Sequence, residues 1–219
     1  DEAAGTLSAA LPAAGESSHR VSVTAADASG NLGRASLTLE PAGERGGIFS
    51  DMAEHWASSY ALYLYDTGVT KGVPVGEELQ FQPDKDISRA EFFTLVARWL
   101  DLDLTLYAEV ELPFADGDSI PDWALEEVKA MYSLGLLKGA LADGQVYAKA
   151  GATISRAEAM TILGRTQPMG YGGAVLSAPD AGQVPGWALP YVQGLWAQGV
   201  LGDQGSDIRP SDLLTRGEM

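Results

Sequence analysis

Cysteine is absent from all 219 residues. That excludes disulfides, thiol nucleophiles and cysteine-ligated zinc, and it leaves the compartment open, since cysteine-free chains occur at cell surfaces and in the cytosol alike. Histidine is almost absent too, with only His19 and His55, in unrelated contexts. Positive charge is scarce: 14 Lys+Arg stand against 30 Asp+Glu, a formal net charge of −16. A nucleic-acid partner would need a cationic face to displace counterions from phosphate, so that function class is set aside. Apolar runs stay below the 18 residues or so that a spanning helix needs, so no membrane insertion is expected. The local marks of catalysis are missing as well: no G-x-S-x-G elbow, H-E-x-x-H helix or G-x-x-x-x-G-K-[ST] loop occurs. Asp116-Gly117-Asp118-Ser119 begins like a calcium loop, but Ile120 and Pro121 stand where an oxygen ligand and a glycine are required. Neither an enzyme nor a metal or cofactor is expected. The chain opens on Asp1 rather than Met, as an excised or processed piece does, so the lack of a signal peptide carries no information.

An apolar fraction of 46% is enough for one or two packed domains. The informative feature is self-similarity. Phe49-Ser50-Asp51 leads to His55-Trp56-Ala57, Phe114-Ala115-Asp116 to Asp122-Trp123-Ala124, and Ala178-Pro179-Asp180 to Gly186-Trp187-Ala188. A glycine falls twelve residues after each Trp, at Gly68, Gly135 and Gly199, and a second follows at Gly72, Gly139 and Gly202. A third block closes each unit: Ile87-Ser88-Arg89-Ala90-Glu91, Ile154-Ser155-Arg156-Ala157-Glu158, and Leu214-Thr215-Arg216-Gly217-Glu218. The Trp-to-Arg spacing is 33, 33 and 29 residues.

Each unit reads as helix, glycine turn, loop, helix. The first helix carries an apolar triad at helical spacing: Ala57, Ala61, Leu64; Ala124, Val128, Met131; Ala188, Val192, Leu195. Tyr65, Tyr132 or Trp196 follows, and the glycine supplies a left-handed C-cap. Pro190 sits in a first turn, where its missing N–H costs nothing. The second helix opens on a capping box, Ser88-x-x-Glu91, Ser155-x-x-Glu158 or Thr215-x-x-Glu218. Phe92, Leu95, Val96 and Trp99 then form one apolar stripe, and Ala159, Ile162 and Leu163 a weaker one. The third box reaches Met219 after one turn, too little to hold a helix, so either the natural chain continues or this unit stays incomplete.

Residues 1–41 differ. Arg20–Asp27 and Arg34–Glu40 alternate as strands about the Ala28–Gly33 turn, which resembles the end of a bacterial immunoglobulin-like module. Residues 42–47 read as a linker, and a second glycine-rich linker runs from Met169 to Pro179.

The three ordered blocks resemble the S-layer homology family, whose usual signature is an Asp and a Trp near the first helix, a G-x-x-x-G turn and a T-R-A-E box. The resemblance covers about residues 48–219. It implies a mainly α fold: three helix-loop-helix repeats in a pseudo-threefold, three-pronged bundle, here preceded by a short β-hairpin. On that frame, 1–41 is the hairpin of a truncated Ig-like module, 42–47 the linker, and 48–105, 106–169 and 170–219 are repeats one to three, the last cut short in its second helix. The resemblance further implies a secreted, cell-surface chain that anchors non-covalently to a cell-wall polysaccharide, often a pyruvylated one. Self-assembly with other surface-layer protein stays open beside it. Lys149-Ala150 stands where the other repeats have Gln82-Pro83 and Arg209-Pro210, so the second loop is expected to differ in shape, and Gly217 loosens the third helix start.

The residues suggest how an anion would bind. A capping box leaves the next residue pointing outward, and that residue is Arg89, Arg156 or Arg216, a planar fork for carboxylate beside a helix N-terminus with free N–H groups. Trp56, Trp123 and Trp187 offer flat faces for sugar, and Gly72, Gly139 and Gly202 let backbone approach a ligand. Asp51, Asp116 and Asp180 complete the candidate glycan contacts. Each has a structural alternative: arginines paired with acids across repeats, tryptophans as core anchors at helix starts, aspartates as turn or cap residues, glycines as turn formers. His55 is expected in solvent beside Trp56. What separates anchoring from self-assembly is whether the arginines face an open groove or are satisfied by carboxylates of the same chain.

Overall fold

The computed structural model describes residues 19–26, 32–39, 47–167, 175–201 and 206–219. The tip of the N-terminal turn, nearly all of the 42–47 linker, much of the Met169–Pro179 stretch and Gly202 lie outside the described residues. The chain divides into two units, 1–48 and 49–219. In the first, β1 (His19–Ala26) pairs antiparallel with β2 (Leu32–Leu39), with His19 opposite Leu39 and Ala26 opposite Leu32.

The second unit is mainly α. Its elements are α1 (Ser58–Asp66), β3 (Val73–Val75), β4 (Glu78–Gln80), α2 (Arg89–Trp99), α3 (Leu125–Ser133), β5 (Ala140–Ala142), β6 (Gln145–Tyr147), α4 (Arg156–Arg165) and α5 (Leu189–Ala197). Among the described residues no helix is long and apolar enough to cross a membrane. The triads of the first helices turn inward as their spacing requires: Ala57, Ala61, Ala124, Val128, Met131, Ala188, Val192 and Leu195 are all buried. The aromatic that follows packs back on the residue opening the repeat, Tyr65 edge-on to Phe49 and Tyr132 to Phe114, each at 5.5 Å between ring centres.

Two local features depart from the sequence reading. The loop after the glycine turn contains a small hairpin in repeats one and two, β3–β4 and β5–β6. Its second copy turns on Asp143-Gly144, both at positive φ, an Asp-Gly hairpin signal that stands in plain view in the sequence. Trp99, placed by periodicity in the buried stripe, lies at the helix end and is 46% exposed, whereas Phe92, Leu95 and Val96 are buried.

Repeats join where each second helix begins. Ile87 N–H donates to the Leu214 carbonyl (2.9 Å), Leu214 N–H to Ile154 (3.0 Å) and Ile154 N–H to Ile87 (3.1 Å), a closed ring of three hydrogen bonds through three repeats. The side chains of Ile87, Ile154 and Leu214 belong to one apolar core with Phe92, Val96, Val128 and Met131. α2 packs on α3, and α4 on α5 around a second core holding Met160, Val192 and Ile208. The first two capping boxes are complete; Ser88 accepts the Glu91 N–H at 3.2 Å and Glu91 the Ser88 N–H at 2.9 Å. The third makes only the glutamate half, at 3.3 Å from the Thr215 N–H, and residues 216–218 form a turn rather than a helix.

Gly135 and Gly139 both stand at positive φ (+70° and +75°), but a Cβ on Gly135 meets nothing within 4 Å, whereas one on Gly139 lies 2.5 Å from Val146 Cγ1 and 2.9 Å from the Tyr147 carbonyl oxygen. Gly135→Ala is expected to cost about 1 kcal/mol from backbone conformation alone. Gly139→Ala adds overlap with fixed backbone and is expected to cost roughly 2–4 kcal/mol. Urea unfolding midpoints of the two variants check the order.

Candidate functional site

The three aspartates are loop clamps. Asp51 accepts the backbone N–H groups of Phe81 (2.9 Å) and Gln82 (2.7 Å), one on each carboxylate oxygen. Asp116 does the same for Ala148 and Lys149 (2.7 and 2.8 Å), and Asp180 for Ile208 and Arg209 (2.8 and 2.7 Å). The second residue of each pair sits in the left-handed region, at φ 59°, 52° and 51°. A carboxylate taking two adjacent N–H groups stabilises a turn that these side chains otherwise disfavour. The second loop keeps the form of the others despite Lys149-Ala150: Ala150 accepts the Ala90 N–H at 2.9 Å, as Pro83 and Pro210 accept those of Gly217 and Ala157 at 2.8 and 2.9 Å.

The arginines do not point outward. Arg89 and Arg216 are 5% and 6% exposed. Each runs along the loop of another repeat: Nε of Arg89 donates to the Ala148 carbonyl (2.9 Å), Arg156 to Ile208 (2.9 Å) and Arg216 to Phe81 (2.7 Å). These carbonyls belong to the residues whose N–H groups the aspartates hold. The guanidinium ends meet box glutamates, Arg89 with Glu158 (2.6 Å), Arg156 with Glu218 (3.3 Å) and Arg216 with Glu91 (3.8 Å). The helix N-termini are occupied as well. Arg89 N–H donates to Ala152, Arg156 N–H to Asp212 and Arg216 N–H to Lys85, all carbonyls of a neighbouring repeat. The free amides and outward forks expected from the capping box are therefore taken up inside the chain.

The tryptophans go the other way. Trp56, Trp123 and Trp187 are 64%, 55% and 55% exposed, so none is a core anchor. Two grooves hold two of them, each beside a box glutamate of the preceding repeat in the cycle. The first, about 420 Å³, is lined by Trp187, Lys138 and Gly139 together with Arg89, Glu158 and Arg165. The second, about 350 Å³, is lined by Trp56, Tyr60 and Tyr63 of the first repeat with Arg216 and Glu218. Arg156, Trp123, Gly72 and the three aspartates line neither groove. Gly72, like Gly139, is closely approached, with Phe49 Cε1 at 2.7 Å from where a Cβ would stand. His55 is not in solvent: its side chain is 18% exposed, Nδ1 accepts the Ala57 N–H at 3.1 Å, and Nε2 lies 3.5 Å from Asp84. Lys138, Arg165, Tyr60 and Tyr63 escape sequence reading because they lie outside the three blocks, although Lys71, Arg98 and Tyr191 stand at the positions equivalent to the first three.

The ring sets the charges. Burial is the largest influence on all three box arginines and lowers them against their neighbouring carboxylates, though a guanidinium stays ionised. Burial is also the largest influence on Glu91 and Glu218 and pushes them up. For Glu91 the Ser88 hydrogen bonds and Lys85 outweigh it, and for Glu218 the bonds from Arg209 and Thr215 with the Arg156 charge outweigh it, so both titrate below the usual glutamate range.

The S-layer homology domain matches residues 48–93, 113–142 and 179–219, about half of the chain. Cell surface glycoprotein 1 of Acetivibrio thermocellus is 31% identical over 144 residues, 62% of this chain and 6% of that protein. The cellulosome-anchoring protein of the same organism is 29% identical over 155 residues, 70% of this chain and 32% of that protein. S-layer protein sap of Bacillus anthracis is 31% identical over 102 residues, 46% of this chain and 12% of that protein. The matched stretch is thus a third or less of each relative's length.

Because Glu91 and Glu218 are lowered in the folded chain, their contribution is fully present above the unfolded glutamate value of about 4.3 and is lost as pH falls through the folded value. Glu91→Gln/Glu218→Gln is expected to melt below the wild type at pH 7, with the gap closing as pH falls below about 4.3. Thermal melts of both proteins across pH 7 to 3 read this directly; a gap of constant size contradicts it.

Proposed function

The chain belongs to the S-layer homology family, and from that premise we propose that it is a non-catalytic, non-covalent cell-surface anchor whose ligand is an anionic cell-wall polysaccharide. The relatives named as a cellulosome-anchoring protein and an S-layer protein support the anchoring part. The anionic part is carried by one observation. In a chain of net charge −16, the groove beside Trp187 gathers Arg89, Lys138 and Arg165 against Glu158 alone. A sugar carboxylate, such as that of a pyruvylated residue, would sit against Lys138, with the exposed Trp187 face stacking on the ring. Arg89 acts beneath, holding the groove floor through Glu158 and Ala148 rather than meeting the ligand as a free fork.

This reading includes a pseudo-threefold, three-pronged arrangement of the repeats about the Ile87–Leu214–Ile154 ring, with repeats at 48–105, 106–169 and 170–219 and an Ig-like hairpin ahead of them. A second reading, a protein-on-protein module of a surface layer, is favoured by the pairing of every box arginine with a carboxylate of its own chain. The surplus of positive charge at Lys138 and Arg165 is what speaks for the glycan.

Binding to purified sacculi with and without their secondary polysaccharide separates the two. The wild type is expected to sediment only with polysaccharide-bearing sacculi. Lys138→Ala/Trp187→Ala, two exposed positions whose loss leaves the ring intact, is expected to bind more than tenfold more weakly. Equal binding to stripped sacculi overturns the glycan reading, as does full binding by the double variant.

A further inference from the structure

The residues beside Trp187 have a near copy one repeat earlier, and one carboxylate separates the two places. We propose that Glu127 is a specificity-determining residue: it bars anionic ligands from the position at Trp123, so that the chain takes its polysaccharide beside Trp187 and not at the equivalent place. The inference rests on the anchoring reading above, and its test fails separately from that reading.

The copy follows from register. Lys71, Arg98 and Trp123 stand at the positions equivalent to Lys138, Arg165 and Trp187, which line the first groove. Helix packing repeats as well, α3 lying on α2 as α5 lies on α4. Trp123 and Trp187 are equally exposed. On these residues alone, both places would offer a sugar the same cations and the same aromatic face.

The difference lies one turn after each tryptophan, at Glu127 in α3 and Tyr191 in α5. Tyr191 sets its ring against the Arg165 guanidinium, 5.3 Å from the ring centre, and brings no charge. Nη1 of Arg165 donates to the Leu136 carbonyl at 2.8 Å, and its buried Nε has no hydrogen-bond partner. Among the described residues Arg165 makes no ion pair, so its positive charge stays uncompensated at the groove.

Arg98 meets a carboxylate instead. Glu127 is 7% exposed, and its Oε1 stands 4.0 Å from Nη2 of Arg98 across the α2–α3 contact. The cavity there, about 200 Å³, has Glu127 and Asp101 in its lining against Arg98. The groove beside Trp187 has the opposite balance, with Arg89, Lys138 and Arg165 against Glu158.

A buried carboxylate is costly to desolvate, and a loose pair at 4.0 Å offsets little of that cost. Stability therefore gives no reason for Glu127, whereas selectivity does. A ligand carboxylate arriving at Arg98 would meet Glu127 in a poorly solvated place, where like charges repel far more strongly than in water. An unfavourable contact at the wrong site discriminates as well as a favourable one at the right site.

The test follows the indole N–H signals of Trp123 and Trp187 by heteronuclear NMR while the full chain is titrated with polysaccharide released from sacculi. In the wild type the Trp187 signal is expected to shift and that of Trp123 to stay. Two variants are compared: Glu127→Gln, which keeps the shape and removes the charge, and Glu127→Tyr, which copies Tyr191. Each is expected to melt within a few degrees of the wild type and to bring Trp123 into the titration, at least tenfold more tightly than in the wild type. A Trp123 signal that moves in the wild type as readily as that of Trp187 overturns the proposal. So does one that stays still in both variants while Trp187 responds. Response at Trp123 in the variants, with Trp187 silent throughout, removes the Trp187 assignment and upholds the role of Glu127. Silence of both signals in every protein removes the anchoring reading and this inference with it.

Discussion

No repeat in this chain completes the start of its own second helix. The first amides of α2, of α4 and of the last turn donate to loop carbonyls of a different repeat, and the arginine after each cap runs along that same loop. A helix N-terminus left without partners is costly when buried, so each repeat is stable there only with its neighbour in place. In an open array this dependence would leave one end unsatisfied. Here it closes, because the third box returns to the first repeat through Leu214, Arg216 and Gly217.

That closure decides what remains for binding. The residues that recur, Asp51, Asp116 and Asp180 with Arg89, Arg156 and Arg216, hold repeat to repeat. Their carboxylates take two loop amides each, and their guanidiniums take a loop carbonyl and a glutamate. The residues that give the grooves their character recur only in part: Lys138 and Arg165 beside Trp187 have counterparts in Lys71 and Arg98 of the first repeat, Tyr60 beside Trp56 has one in Tyr191, and Tyr63 has none. One scaffold carries a groove lined by Lys138 and Arg165 and another lined by Tyr60 and Tyr63. The tryptophans are both recurrent and exposed.

Local signals were legible in the sequence. The capping boxes at Ser88 and Ser155, the inward triads and the glycine that ends each first helix all follow from interactions within a few residues. What was not legible depends on distance along the chain. Arg89 looks like a free fork until Glu158, 69 residues away, is beside it, and Asp116 looks like a turn residue until Ala148 is. His55 passes for a solvated side chain because Gly217 and Asp84, which enclose it, belong to later segments. The Asp143-Gly144 hairpin is the exception: its signal was local, and it was read as plain loop.

The central claim is that the three repeats are one cooperative ring, closed by Leu214 and Arg216. Native-state hydrogen exchange at the amides of Ile87, Ile154 and Leu214 tests it most directly. The account predicts that all three exchange with one common opening free energy, and that Arg216→Ala lowers it at all three positions together. Rapid exchange at Leu214 alone, with Ile87 and Ile154 still protected in Arg216→Ala, would contradict it.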